Sequence, residues 1–163
     1  MEVRAAHHFD HDIEAVWAMI LDPAAHVAKY QHMGHRNVEV LSSEGDGNGL
    51  SISIVRQVDI EVPSLAKKFI NPSNTVTSTD RWEQAKDGCR TGRSTVDIKG
   101  VPVHSTAIAT LEPGDDGDGC DYAIVLTMKV KVPVIGEKVA NVLRPQLEEQ
   151  LAAEFAASED WLS

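Results

Sequence analysis

The sequence predicts an α+β protein in which one long C-terminal helix lies across an antiparallel sheet. Three observations carry this. From Gly136 to Trp161 the apolar residues Val139, Leu143, Leu147, Leu151 and Phe155 recur at every fourth position. Glu137, Lys138, Asn141, Arg144, Glu148, Glu149 and Glu154 occupy the other side. That spacing is an amphipathic helix with one face made for burial, on the order of 35 Å long at about 1.5 Å per residue. Second, after a short helical region near the N-terminus, strand follows strand through short turns, the pattern of an antiparallel meander. Third, one of these strands carries the small residues Ser105, Ala107 and Ala109 on one face. Beneath a long helix, such a face leaves volume.

The elements follow in order. Glu2–Phe9 reads as a first strand, with His7 and His8 interrupting its alternation. Asp10 offers an N-cap for a helix over 11–21, where Ile13, Val16, Trp17 and Ile20 fall at helical spacing. Asp22-Pro23 ends that helix and starts another over 23–32, because proline suits a first helical turn. The second helix presents Val27 and Tyr30 and stops at Gly34. Strands are expected at Arg36–Leu41 and Leu50–Val58, with Ser42–Gly49 as the hairpin loop. Thr75–Glu83 follows, then Arg93–Lys99 after the Asp87-Gly88 turn. Val103–Leu111 and Tyr122–Val132 flank the Asp- and Gly-rich run Glu112–Gly119. The link Asp59–Asn74 holds Pro63 and Pro72 around Leu65, Phe69 and Ile70, with a helical turn starting at Ser64. It is long for a connection between strands and reads as a lid at the rim of the sheet. Pro145 removes a backbone hydrogen bond inside the last helix and predicts a bend near Asn141–Val142.

The totals narrow the function. A chain of 163 residues is expected to form a single domain over 1–163. Its formal charge, 15 − 25 = −10, argues against a nucleic-acid partner, which asks for a basic face. Met1–Phe9 has no apolar signal core, and no stretch approaches the roughly 18 apolar residues of an integral membrane segment. Cys89 and Cys120 form no CxxC pair, so reduced thiols and a cytoplasmic setting are expected. His7, His8, His11, His26, His32 and His35 crowd the first 35 residues without metal-ligand spacing and read as surface or loop-end side chains. Asp115, Asp116, Asp118 and Asp121 resemble a calcium loop, but Cys120 falls where an oxygen ligand is needed. No GxSxG is present, and no Gly-rich phosphate loop follows a strand to open a helix. No metal and no cofactor are therefore expected, and no residue is assigned a catalytic role.

Alternation assigns the strand faces. Tyr122, Ile124, Leu126, Met128 and Val130 point inward, with Lys129 and Lys131 in solvent. Val103, Ser105, Ala107, Ala109 and Leu111 point inward, with His104 outward. The space above the small residues holds either a ligand or the side chains of Trp17, Trp82, Phe155 or Met128, because interiors pack densely. The same parity sends Arg56 and Asp80 inward, and a buried charge needs a partner. They meet each other, or Arg56 meets an acidic group of a ligand, or both reach water at strand ends.

The order strand, two short helices, antiparallel sheet and long helix, with Phe9-Asp10-His11-Asp12-Ile13-Glu14-Ala15-Val16-Trp17 leading to Leu21-Asp22-Pro23, resembles the START-like (SRPBCC) superfamily. That superfamily holds polyketide cyclases/aromatases, lipid-transfer START domains and plant allergen-like proteins. Val132-Pro133-Val134-Ile135-Gly136-Glu137-Lys138-Val139 and Gly100-Val101-Pro102-Val103 are similar to an uncharacterised, actinobacterial-type branch of it. The resemblance implies a helix-grip fold, with a curved sheet of six or seven strands wrapped around the last helix and an apolar cavity between. It implies a hydrophobic small molecule as partner, such as a lipid, sterol or polyketide. It carries over no catalytic residue.

Three functions are open at this point. The first is a carrier lined by Ile52, Ile54, Arg56, Val76, Asp80, Trp82, Ser105, Ala107, Tyr122, Leu126, Met128, Val139, Leu143 and Leu147. The second is a cyclase- or dehydratase-like enzyme in which an inward polar group moves protons. The third is a filled-core module working through protein partners. Less than roughly 100 Å³ between Leu143 and Ala107 would leave the third. An unpaired Asp80 or Tyr122 on a cavity wall would favour the second over the first.

Overall fold

A computed structural model describes residues 1–85 and 87–163. Strand β1 (Glu2–Phe9) is followed by helices α1 (Ile13–Leu21) and α2 (Pro23–His32). Strands β2 (Arg36–Asp46), β3 (Gly49–Asp59), β4 (Ser73–Gln84), β5 (Arg90–Ile98), β6 (Val103–Pro113) and β7 (Cys120–Val130) come next, and α3 (Gly136–Leu162) closes the chain. The seven strands form one antiparallel sheet in the order β1-β7-β6-β5-β4-β3-β2. The first and last strands of the chain are thus neighbours, and β2 and β1 are the edges. This is the α+β helix grip, with a curved sheet and a long helix against its concave face.

Several boundaries differ from the sequence expectation. Strand β2 runs on through Ser42–Asp46, pairing Glu44 with Ser51 and Asp46 with Gly49, so the hairpin turn is only Gly47-Asn48. Those residues are polar because the strand is an exposed edge, and polar composition alone reads as loop. Helix α1 starts at Ile13, capped by Asp12, whose carboxylate accepts the Glu14 amide at 2.7 Å. Asp10 instead faces His8 at 3.4 Å. Strand β5 begins at Arg90, three residues early, and β7 ends at Val130.

Other local signals act as read. Asp22 caps α2, accepting the Ala24 amide at 2.9 Å, and Pro23 opens it. Gly34, at φ +84°, ends it. The Gly34 amide donates to Gln31 O and the His35 amide to Tyr30 O, both at 3.0 Å. This reversal, which a left-handed glycine makes without side-chain strain, turns His35 back onto the face of Tyr30.

The ladder of α3 is the predicted one. Val139, Leu143 and Leu151 are buried, Leu147 and Phe155 half-buried, and the helix runs unbroken through Pro145. Each buried side chain contributes about 1.5–3 kcal/mol of burial free energy. The inner face of β6 is also as expected, with Val103, Ser105, Ala107, Ala109 and Leu111 all buried. The link after β3 carries one 3-10 turn (Ser64–Ala66) and buries Ala66 and Ile70 against Val103, Met128, Val139 and Leu143. Gln146 donates to Glu61 O from α3. The segment therefore plugs the end of the sheet where α3 begins. No helix among the described residues is long and apolar enough to cross a membrane.

Candidate functional site

The core divides along α3. Its first half, with Val139 and Leu143, packs on Met128, Val103, Ala66 and Ile70. Around its second half lies a cavity of about 130 Å³. The sheet supplies Phe9, Arg56, Ser78, Asp80, Trp82, Ser94, Val96, Ala107, Tyr122, Ile124 and Leu126 to the wall. Val16, Met19 and Ile20 come from α1, and Ala25, His26, Lys29 and Tyr30 from α2. Helix α3 adds Leu151, Glu154, Phe155, Ala157, Ser158 and Trp161, the last 42% exposed at the rim.

Of the residues proposed from sequence, Arg56, Asp80, Trp82, Ala107, Tyr122 and Leu126 lie on this wall. The other eight pack elsewhere. Ile52 and Ile54 lie with Tyr30 and Leu50, next to Val38 and Val40. Val139, Leu143 and Met128 belong to the plugged end, and Leu147 bridges the two clusters. Val76 and Ser105 are buried away from the cavity. Parity gives the face of a strand, not the height along it, and the plug fills the level of Leu143 while Ala107 borders the space beside the second half of α3.

An aromatic row runs from α1 to the site, where Trp82, Tyr122 and Phe155 line the wall. Trp17 meets Trp82 edge-on at 6.3 Å, Trp82 lies 6.0 Å from Tyr122, and Tyr122 meets Phe155 edge-on at 5.4 Å. Gly92 sits opposite Trp82 in the ladder, and a Cβ there would fall 2.6 Å from the indole. The missing side chain is what lets the ring lie flat across β5.

The polar groups fall into three sets. Arg56 is 7% exposed. Its Nε donates to His35 Nδ1 at 3.2 Å, its Nη1 donates to Ser78 Oγ at 2.9 Å, and the guanidinium lies 3.8 Å from the centre of the Tyr30 ring. Burial, then the charge of Arg56, pushes the His35 pKa down to about 4, so His35 is the neutral acceptor this bond needs. The second set is Lys29 and Glu154, which pair at 3.5 Å between α2 and α3. Burial works against the Lys29 ammonium, but the carboxylates of Glu154 and Asp80 outweigh it and raise its pKa. The third set makes no direct side-chain bond among the described residues. Asp80, 8% exposed, makes no hydrogen bond or ion pair among the described residues. Tyr122 makes no side-chain hydrogen bond either, and burial, then the charge of Glu154, raises its pKa, keeping the phenol protonated.

His26 corrects the reading of the histidines as surface groups. It is 7% exposed, bonded through Nε2 to Ile20 O at 2.7 Å, and its Nδ1 is buried without a partner. Burial, then the nearby Lys29, lowers its pKa. His35 stands at a loop end, as expected, half-buried against Arg56. The others are tied to acids on the surface: His7 and His11 to Glu159, His8 to Asp121, and His32 to Asp160. Among the described residues no three His, Cys, Asp or Glu side chains are placed to share a metal ion. His26, Lys29 and Glu154 were missed because charged and polar helix residues read as solvent-facing. One signal was available: His26, Lys29 and Tyr30 stand at i, i+3 and i+4 and so share one helical face.

The chemistry on offer is a buried guanidinium with neutral partners, an unpaired carboxylate and a neutral phenol, set among aromatic and aliphatic side chains. Searches among known proteins agree with the geometry. An uncharacterized protein of Mycobacterium tuberculosis is 22% identical over 128 residues, which is 78% of this chain and 74% of that protein. The crystal structure of an aromatase/cyclase of a Streptomyces species is similar with a TM-score of 0.67 at 14% identity, covering 99% of this chain and 93% of that one. A STAR-related lipid transfer protein of Xanthomonas axonopodis gives a TM-score of 0.65 at 16% identity, covering 99% and 85%. At such identities these structures establish the fold, which is the START-like helix grip. Residues 4–162 match the family described as "Protein of unknown function (DUF2505)", and the chain belongs to that family.

Proposed function

We propose that this protein binds a single small, mainly apolar organic molecule in the cavity beside the second half of α3. The observation that carries the reading is the wall itself: an aromatic and aliphatic surface interrupted by buried polar groups that the protein leaves without partners. Buried polar groups are ordinarily bonded, so their isolation points to a ligand that completes them. A volume of about 130 Å³ suits a body of roughly one ring. It is smaller than the usual ligand pocket of about 300–1,000 Å³, and a whole sterol or phospholipid exceeds it. The aromatase/cyclase and lipid-transfer proteins of the same fold support a hydrophobic class of ligand.

Native mass spectrometry of protein purified from its own host tests this. Wild type is expected to carry an organic adduct that solvent extraction releases. Ala107→Phe, which projects a ring into the cavity, is expected to lose the adduct and stay folded. Wild type free of any adduct and indifferent to ring-sized aromatic probes at millimolar concentration would end the proposal.

A second reading adds chemistry to binding, and one observation favours it. Asp80 and Tyr122 offer a carboxylate to take a proton and a neutral phenol to give one, both on the wall and both unpaired among the described residues. That pair suits proton transfer in a cyclisation or dehydration. Under this reading, Asp80→Asn retains the bound molecule but no longer converts it. Unchanged conversion by Asp80→Asn removes Asp80 from the chemistry.

A further inference from the structure

We infer that the ligand carries an anionic group, a carboxylate or its equivalent, that seats on Arg56. The inference rests on the binding proposal above and names the chemistry of one end of the molecule. Arg56 is 93% shielded, since 7% of it is exposed, yet no acid lies within ion-pair distance among the described residues. Its three neighbours, His35, Ser78 and the face of Tyr30, are all neutral. Removing a cation from water costs several kcal/mol, and neutral hydrogen bonds with one aromatic face restore only part of that. A charge held in this way is oriented without being neutralised.

The orientation serves binding. Nε and Nη1 are occupied, while Nη2 makes no hydrogen bond among the described residues, and the side chain lines the cavity. The fixed nitrogens thus hold the guanidinium plane and leave donors for a ligand oxygen, the geometry in which arginine recognises carboxylates. The wall's own acids leave the position free. Glu154 is paired with Lys29. Asp80 lies opposite Ile52, two residues along β4 from Ser78, which the Arg56 guanidinium reaches, and it makes no ion pair with Arg56. That offset is roughly 7 Å along the strand at about 3.3 Å per residue, beyond ion-pair distance. The cavity therefore has a guanidinium end by Tyr30 and His35, with Asp80, Lys29 and Glu154 further along its wall. A ligand with an acid at one end and a hydrogen-bond donor toward Asp80 matches both.

Trans-cinnamic acid and cinnamamide, alike in shape and different in charge, test this by calorimetric titration at pH 7. Wild type is expected to bind the acid at least tenfold more tightly than the amide. Arg56→Met is expected to bind both with the amide's affinity. In wild type, the side-chain Nε–H resonance of a slowly exchanging arginine is expected to move with the acid and stay with the amide, a readout that does not depend on the variant folding. Amide bound as tightly as acid, or a preference that survives in Arg56→Met, or no arginine shift, overturns the anchor while leaving apolar binding intact. Failure of both compounds to bind overturns the binding proposal and the anchor together.

Discussion

Asp80 shows what a single side chain contributes to this molecule. It occupies an inward position of β4, on the register line between Ile52 and Ser94. An apolar residue there would add to the core. A carboxylate without a hydrogen bond gives up solvent there and keeps only the through-space attraction of the Lys29 ammonium. Asp80→Asn keeps the shape and removes the charge. Its expected outcome is a melting temperature equal to or higher than wild type, with an increment of up to about 1–2 kcal/mol by analogy with other relieved buried charges. Thermal denaturation at pH 7 checks it, and a marked loss of stability would mean that Asp80 holds a structural pair. Stability given up at a cavity wall is the mark of a functional position.

Between elements, the fit of β4 against β5 sets the shape of the site. Trp82 lies over Gly92, and its ring continues the row to Tyr122 and Phe155. A methyl group at position 92 would meet the indole at 2.6 Å, well inside contact distance. Gly92→Ala is therefore expected to turn Trp82 into the cavity and destabilise the fold by about 1–3 kcal/mol, the usual range for overpacking. A changed near-ultraviolet circular dichroism spectrum together with a lowered urea midpoint would show it; an unchanged spectrum would mean that the ring has room to yield. Helix α3 divides the labour in the same way. Its first two turns lock onto the plug at Ala66 and Ile70, and its second half forms the wall. The rigid end holds the helix while the other end meets the ligand.

For the molecule as a whole, two inward histidines make stability depend on pH. The folded-state pKa of His35 is about 4, against about 6.5 for an unperturbed histidine, and that of His26 is also lowered. Between those values the unfolded chain takes up protons that the folded protein refuses. Their contribution is therefore complete above pH 6.5 and is lost as the pH falls toward 4, the share of half-buried His35 being reduced by solvent screening. His8 acts in the opposite sense. Its bond to Asp121 raises its pKa, so its contribution is present at low pH and fades as the pH rises through the raised value. Because His8 is exposed, solvent screening leaves the inward pair dominant. Ligand-free protein is expected to have a lower urea midpoint at pH 5 than at pH 7.5, and His35→Asn to reduce the difference. Equal midpoints at the two pH values would contradict this account.

The order of elements, the face that each strand buries and the ladder of α3 are legible in the chain of residues alone. These follow from local periodicity: the alternation of β6 and the fourfold recurrence of Val139, Leu143 and Leu151 are written into consecutive residues. The chain also shows that Arg56 and Asp80 turn inward, because parity holds for charged and apolar residues alike. Edges were harder. Ser42–Asp46 looks like loop because an edge strand carries polar residues, and its partner is another segment of chain. Where along α3 the space lies depends on how the folded segments pack. Packing of the 59–74 segment against Val139 and Leu143 fills one end and leaves the other, and no local pattern encodes that height. The same holds for Lys29 and Glu154, which read as solvent-facing charges on separate helices. They become one half-buried pair because α2 and α3 meet across the cavity, an encounter fixed by the packing of distant segments.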